Sequence, residues 1–316
     1  MYIQPELNSW SGRIDDVNDP KSFRYHQVVE MKSVNDELKD ANQHISLISF
    51  ASDEGVRRNA GRVGAAKGPD AIKGALSSIP WRLGNPSLVD VGTVQCEGEN
   101  LEQAQAFLGE QVTKLLGKGN HTIILGGGHE TLYGHYVGVR NAMGSNAKLG
   151  IINIDAHFDI RKHDVQPSSG TMFNQILSED TNTNYMVLGI QEFGNTTELF
   201  NRADQFGVHY VLEEALVSMG ETALNSMISE FIAKQDAVIL TLCMDVIAAP
   251  DAPGVSAPSP FGLQPIFVRQ LIQQIAKDDK VRSFDICEVN PIYDQDNRTA
   301  KLAAQFVNEV VRQFSK

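Results

Sequence analysis

The chain has 316 residues, with 39 acidic and 27 basic side chains, a formal net charge of −12 and 42% hydrophobic residues. That length allows one large α/β domain or two medium ones around a sizeable core, and the ordinary composition excludes a disordered or collagen-like chain. The acidic excess excludes a general phosphate-backbone binder, which needs basic surface, but leaves a small-molecule site of either sign open.

Taken from the N-terminus, residues 1 to 44 are polar and irregular and read as an arm, with no basic n-region or apolar h-region of a secretory signal. Apolar runs then predict strands at Ile45–Ser52, Leu88–Val94, Thr122–Leu125, Leu149–Asp155, Tyr185–Ile190, His209–Leu212, Ala237–Val246 and Val281–Glu288. Several are near-continuous Val/Ile/Leu runs, as expected where both faces of a sheet are covered. Helical spacing predicts intervening helices at Pro69–Ile79, Leu101–Leu116, Glu130–Ala142, Thr196–Gln205, Thr222–Lys234 and Pro265–Ala276. A last helix, about Asn297 to Phe314, carries an apolar stripe of Leu302, Phe306, Val310 and Phe314. With no repeat and no Ser/Gly linker, one domain over 1–316 is the simplest reading. Strand–helix alternation over this length predicts a mainly parallel sheet with helices on both faces. Cys96, Cys243 and Cys287 form no CxxC pair, so a reducing, cytoplasmic setting is expected. The most apolar stretch, Ala237 to Pro250, is short and contains Thr241 and Asp245, so it reads as a buried strand, and no membrane partner is expected.

Open parallel sheets bind ligands at the carboxyl ends of their strands, and four predicted strand ends carry polar chemistry. IILGGGHE (123–130) places three glycines before His129. They either cradle a phosphate at a helix start or let the backbone approach a ligand toward which His129 points; a structural histidine is the third reading. IINIDAHFD (151–159) ends in Asp155, His157 and Asp159, which share one side of an extended chain. Two carboxylates and an imidazole at a strand mouth need a counter-charge, and a divalent metal supplies one. A solvated turn is the alternative. AVILTLCMDV (237–246) puts Cys243 and Asp245 on one face, where Cys243 is either a small hydrophobe or a thiolate ligand. FDICEVNP (284–291) ends in Glu288, a group supporting the ligands or anchoring substrate.

His129, Asp155, His157, Asp159 and Asp245 together suit Mn²⁺ or Fe²⁺ better than a closed structural Zn²⁺ site. Carboxylates can bridge two ions, which lower the pKa of a shared water and supply hydroxide at neutral pH. Hydrolytic attack on an electrophilic carbon is the implied reaction, since no GxSxG elbow is present.

GGGHE (126–130), DAHFD (155–159), TLCMD (241–245) and EVNP (288–291) resemble, in order and spacing, the ureohydrolase superfamily of arginases and agmatinases. Within it, GGGHE, GVRRNAGRVGAAKGP (55–69) and APGVSAP (252–258) look like the formimidoylglutamase branch; arginases and agmatinases usually have Asp in place of Gly128. The resemblance covers nearly the whole chain, including WSGR at 10 to 13. It implies a three-layer α/β/α arginase-like fold with a mainly parallel eight-stranded sheet and a site for two Mn²⁺ ions. The implied reaction is hydrolysis of N-formimidoyl-L-glutamate to L-glutamate and formamide, by attack of metal-bound hydroxide on the amidine carbon. His129, Asp155, His157, Asp159 and Asp245 carry over as metal ligands. Cys243 stands where the superfamily has an Asp that typically bridges both ions, so it is either a thiolate ligand or the loss of one site. Phe173 replaces the proton-shuttling His of arginases. Glu288 matches the acid that in arginases lies near the cationic end of the substrate and is expected to face the formimidoyl group as a catalytic residue, while Asp159, or water, is the expected catalytic route for the proton to the leaving amine.

A substrate with two carboxylates calls for arginine forks. Residues 55 to 69 contain Arg57, Arg58, Arg62 and Lys67 and no acid. Arg57 and Arg62, assisted by Asn59, are therefore the expected substrate anchors. Three expectations remain open: the small anionic amidine substrate just described, an agmatinase or guanidino-acid hydrolase, and a metal-depleted, non-catalytic binding homologue. A homo-oligomer is expected from the resemblance, and no nucleic-acid partner.

Overall fold

The computed structural model describes residues 1–6, 9–37, 44–82, 87–163 and 165–316. Its strands are β1 (Tyr2–Ile3), β2 (Glu30–Met31), β3 (Ile45–Ala51), β4 (Leu88–Gln95), β5 (His121–Leu125), β6 (Leu149–Ile154), β7 (Thr183–Ile190), β8 (His209–Leu212), β9 (Ala237–Cys243) and β10 (Val281–Cys287). They form one sheet of order β1-β4-β3-β5-β10-β9-β6-β7-β8, with β2 also pairing β4. The eight predicted strands are all present and pair in parallel. The two additions are dipeptides on β4: β1 is antiparallel to it and β2 parallel. A two-residue strand is too short to show a period, so the arm gives no sign of these pairings in sequence.

Alternate side chains of the parallel strands enter two separate cores. Leu47, Ile123, Ile152 and Leu240 face one core, whereas their neighbours Ile48, Ile124, Ile151 and Ile239 face the other. Helices Gly68–Ser77, Glu221–Ala233, Pro265–Ile275 and Arg298–Phe314 cover the first face. Helices Leu101–Gly117, Thr131–Met143, Met172–Glu179 and Thr197–Phe206 cover the second. Two covered faces explain why the strands read as apolar runs rather than alternations, and the architecture has three layers, as expected. Among the described residues no helix is long and apolar enough to cross a membrane.

Among the described residues five α-helices have no counterpart among the predicted elements: the short turns Tyr25–Val28, Val34–Glu37 and Glu54–Arg58, and two later ones. Met172–Glu179 follows a Ser/Gly-rich turn that hides its start, and Glu213–Ser218 is a short turn directly after β8. β9 stops at Cys243 rather than Val246, because Met244–Val246 turn as a 3₁₀ helix. That turn takes Asp245 out of the strand and sends its side chain across the mouth of the sheet.

β5, β10, β9 and β6 are consecutive neighbours at the centre of the sheet. The loops after β5 and β6 therefore flank those after β10 and β9, and all four polar strand ends meet. Gly126 N–H donates to the Ile286 carbonyl (2.8 Å) and Glu288 N–H to the Gly127 carbonyl (2.8 Å), which ties the β5 and β10 loops together.

Candidate metal centre and substrate cavity

His129, His157, Asp159, Cys243, Asp245 and Glu288 line one cavity of about 120 Å³ at this central mouth, and Asp155 is buried behind them within reach of both imidazoles. Asp155 is the pivot. Its Oδ2 lies 3.1 Å from His129 Nδ1 and its Oδ1 3.7 Å from His157 Nδ1. Two sets of donor atoms lie within 4.8 Å of one another: His129, Asp155 and Cys243 in one, and Asp155, His157 and Asp245 in the other. Asp159 Oδ2 stands 3.0 Å from His129 Nδ1, and Asp245 Oδ2 3.3 Å from His157 Nδ1.

The electrostatics are those of a site built for a cation. Burial works against a charged imidazole at His129, but the carboxylates of Asp155 and Asp159 outweigh it and raise the pKa well above the usual value. His157 is raised in the same way by Asp245 and Asp155 against the cost of burial. Burial opposes ionisation of Asp155, yet the two imidazoles hold it well below the usual carboxylate range. Burial and the nearby Asp155 push Asp159 up, and burial with Asp155 and Asp245 pushes up the Cys243 thiol. Asp245 Oδ1 and Glu288 Oε2 are buried without a hydrogen-bond partner among the described residues. Buried acceptors left unpaired are costly, and the donor set of carboxylates, imidazoles and a thiol fits a divalent cation.

Two backbone features aim these groups. Asp159 and Glu288 have φ of +51° and +70°, sparsely populated values for non-glycine residues that mark a local constraint. Glu288 Oε1 accepts from the His129 N–H at 2.9 Å, and burial, with Asp245 and Glu130 adding to it, pushes its carboxyl up to about 8.

The glycines of GGGHE answer the question their sequence left open. A Cβ on Gly127 would lie 1.8 Å from the Ser52 carbonyl oxygen, and one on Gly128 would lie 2.0 Å from Glu130 Oε2. The glycines make room for the β3 loop and for the Glu130 carboxyl, and they bring the His129 imidazole into the cavity. Glu130 Oε1 accepts from Ser52 Oγ and Gly55 N–H, both at 2.9 Å. Position 128 therefore cannot carry the acid of arginases while position 130 is Glu.

The basic segment is arranged differently from the expectation. Arg57 is bound through two nitrogens by Glu54 (2.6 and 2.7 Å) and also meets Glu99 at 3.1 Å. Arg58 is held by Glu54 and Glu102. Glu54 stands one residue outside the acid-free stretch, at i−3 and i−4 from the two arginines, the spacing at which helical side chains meet. Arg62 donates to the carbonyls of Ser256 (2.8 Å) and Val255 and lies over the Tyr293 ring, 4.1 Å from its centroid. Neither Arg57 nor Arg62 lines the cavity, whereas Asn59 does.

Sequence reasoning missed Arg161. Among the described residues it is the one Lys or Arg lining the cavity, exposed at its rim beside Ser169, Asn195 and Ser256. Its Nη1 donates to Asn59 Oδ1 at 3.3 Å and its backbone N–H to the Gly170 carbonyl at 3.0 Å. The available signal was its place two residues after Asp159, continuing the i, i+2, i+4 series. Phe173 is buried, stacked on Tyr185 (centroids 3.8 Å apart) and edge-on to His129 (6.2 Å). It walls the ligand cluster instead of carrying protons.

The Arginase family model matches residues 43–312. The chain is 49% identical to a formimidoylglutamase of Geobacillus thermodenitrificans (strain NG80-2), covering 100% of this chain and 98% of the relative. It is 42% identical to a formimidoylglutamase of Staphylococcus aureus (strain Newman), covering 99% and 100%. Among solved structures, formimidoylglutamase from Bacillus subtilis subsp. subtilis str. 168 superposes with a TM-score of 0.84 at 20% identity, covering 95% of this chain and 94% of that one. Trypanosoma cruzi formiminoglutamase with Mn²⁺₂ gives a TM-score of 0.79 at 23% identity, covering 90% and 99%. By its sequence and its layered fold, with carboxylates and imidazoles clustered at the strand ends, the chain belongs to the arginase family.

Proposed function

We infer that the chain is a metal-dependent formimidoylglutamase, hydrolysing N-formimidoyl-L-glutamate to L-glutamate and formamide. One observation carries the substrate assignment. The cavity has a floor of carboxylates and imidazoles and a single guanidinium, Arg161, at its rim. The substrate matches it end for end, with a cationic amidine for the floor and carboxylates for the rim.

In this reading His129, Asp155, Asp159 and Cys243 hold one divalent ion, and Asp155, His157 and Asp245 a second; Mn²⁺ is the proposed metal. Such a pair lowers the pKa of a coordinated water, which makes a nucleophile available at neutral pH. A reducing cytoplasm would keep Cys243 free to ligate, because a coordinated thiol is deprotonated.

Glu288 Oε2, buried and unpartnered, accepts an amidine N–H and orients the reacting carbon. Asp159 Oδ2 takes the proton released by the attacking water. It returns that proton to the glutamate nitrogen as the C–N bond breaks, so that glutamate and formamide leave. Arg161 and Asn59 hold the substrate carboxylate, with Ser169 and Ser256 beside them. Arg57 and Arg62 support the Glu54–Asn59 segment and the 255–256 loop rather than the substrate.

Losing a charge-assisted contact costs about 1.5–3 kcal/mol, so Arg161→Met is expected to lower kcat/KM roughly 10- to 100-fold, mainly through KM. Arg57→Ala should leave KM nearly unchanged. An unchanged KM in Arg161→Met would remove the anchoring role. An agmatinase would share the metal centre, but a substrate without a carboxylate gives Arg161 nothing to bind. A panel of amidines with formamide and urea measured separately distinguishes the two.

A further inference from the structure

Behind the cavity lies a chain of polar groups sealed from solvent, and the substrate does not reach it. His129 Nε2 is 3.1 Å from Thr241 Oγ1. Thr241 Oγ1 is 2.6 Å from Asp285 Oδ1, and Asp285 Oδ2 is 2.6 Å from His135 Nδ1. The Cys287 thiol also points at Asp285 Oδ1, at 3.1 Å. Thr241, Asp285 and His135 are fully buried, and His129 is 1% exposed. Buried polar side chains in the middle of otherwise apolar strands oppose folding unless something requires them.

With a cation in place of the Nδ1 proton of His129, proton counting along this chain leaves one arrangement. A carboxylate only accepts, so the short contact places the single Thr241 hydroxyl proton on the bond to Asp285. The Thr241 oxygen then has only lone pairs to offer His129, which must donate from Nε2–H. The other ring nitrogen, Nδ1, keeps a bare lone pair directed at Asp155 and Asp159, where a cation would stand. The opposite tautomer would give up the 2.6 Å Thr241–Asp285 bond and place an N–H where a ligand lone pair is needed. His135 Nδ1–H, donating to the second oxygen of Asp285, keeps that carboxylate fixed.

We propose that Thr241 and Asp285, backed by His135, are positioning residues that lock the tautomer and ring orientation of His129 for one of two metal sites. This rests on His129 being a metal ligand. Carboxylates and hydroxyls behind a ligating imidazole typically change metal affinity by about 10- to 100-fold when removed. The effect here is site-selective, because His129 belongs to the set with Asp155 and Cys243 and not to the set of Asp155, His157 and Asp245.

The test is a two-site Mn²⁺ titration of the full chain by competition with a chromogenic chelator, for wild type, Thr241→Val, Thr241→Ser and His129→Ala. Thr241→Val should weaken one site by about 10- to 100-fold and leave the other nearly unchanged, with Thr241→Ser restoring wild-type binding. Wild-type affinity in Thr241→Val, or equal weakening of both sites, would overturn the relay. If His129→Ala binds two ions as wild type does, the metal-centre reading fails and the relay with it. Nitrogen NMR of the wild-type chain loaded with diamagnetic Zn²⁺ needs no variant to fold: the proton of His129 is expected on Nε2, and a proton on Nδ1 contradicts the proposal.

Discussion

At the residue scale, Gly128 and Glu130 act as a complementary pair. The Glu130 carboxyl fills the space that a side chain at 128 would need, and burial, with Asp53 nearby, pushes it up to about 7. Gly128→Asp is therefore expected to destabilise the chain by about 1–3 kcal/mol, the usual cost of overpacking, as read by thermal or denaturant unfolding. Shortening the neighbour in Gly128→Asp/Glu130→Ser should recover much of that loss; additivity of the two changes would remove the coupling. Cys243 is the other decisive residue. Its Sγ lies within 4.8 Å of donor atoms of His129 and Asp155, close enough to share an ion, so Cys243→Ser is expected to lower metal content from about two ions to one, measured by elemental analysis with protein concentration. Six residues of the site were legible one by one, because an acid or imidazole after an apolar strand is conspicuous; Cys243 stood out by sharing a strand face with Asp245, and Asn59 by its place in the basic segment. Arg161 was not legible, because a lone arginine in a polar loop looks like any exposed residue. Glu54 stands one residue before the acid-free stretch 55–69, so the composition of that stretch does not reveal that its first two arginines are paired.

At the element scale, the final helix Arg298–Phe314 shows how far periodicity reaches. Its predicted stripe is present, with Phe306 and Val310 buried and Leu302 and Phe314 packed at the margin of the same core. Ala303, Val307 and Val311 widen that face, as a helix lying on a sheet requires. Phe306→Ala is expected to cost about 3–5 kcal/mol by denaturant unfolding, as for other large-to-small core changes. Phe314 stacks on His121 at the start of β5, with centroids 4.5 Å apart. Burial and the nearby Arg282 lower the pKa of that imidazole below its usual 6.5. A depressed histidine favours the folded state only while neutral, so its contribution is present above pH 6.5 and is lost as pH falls through the unfolded value toward the folded one. Unfolding free energy should decline in that acid range for wild type and decline less for His121→Phe. The strands were legible because both their faces are buried. Their ends were less so, because a turn such as Met244–Val246 is set by contacts across the mouth and not by local pattern.

At the scale of the whole molecule, the net charge of −12 gains a location. Asp155, Asp159, Asp245 and Glu288 come from segments far apart in sequence, and the order β5-β10-β9-β6 brings them together. Neither that order nor the sharing of Asp155 between two donor sets is written in local sequence, since both depend on long crossovers. A cation bound only by the folded chain stabilises it by about 2.7 kcal/mol at a hundred times its Kd. Mn²⁺ should therefore raise the melting temperature and a chelator lower it, by less in Asp155→Asn. The most direct test of the account combines metal content with turnover on one preparation. About two Mn²⁺ per chain, with formamide and glutamate released from N-formimidoyl-L-glutamate and no urea from agmatine, is the predicted result. A chain that takes up no Mn²⁺ after loading, or that releases urea and no formamide, would contradict it.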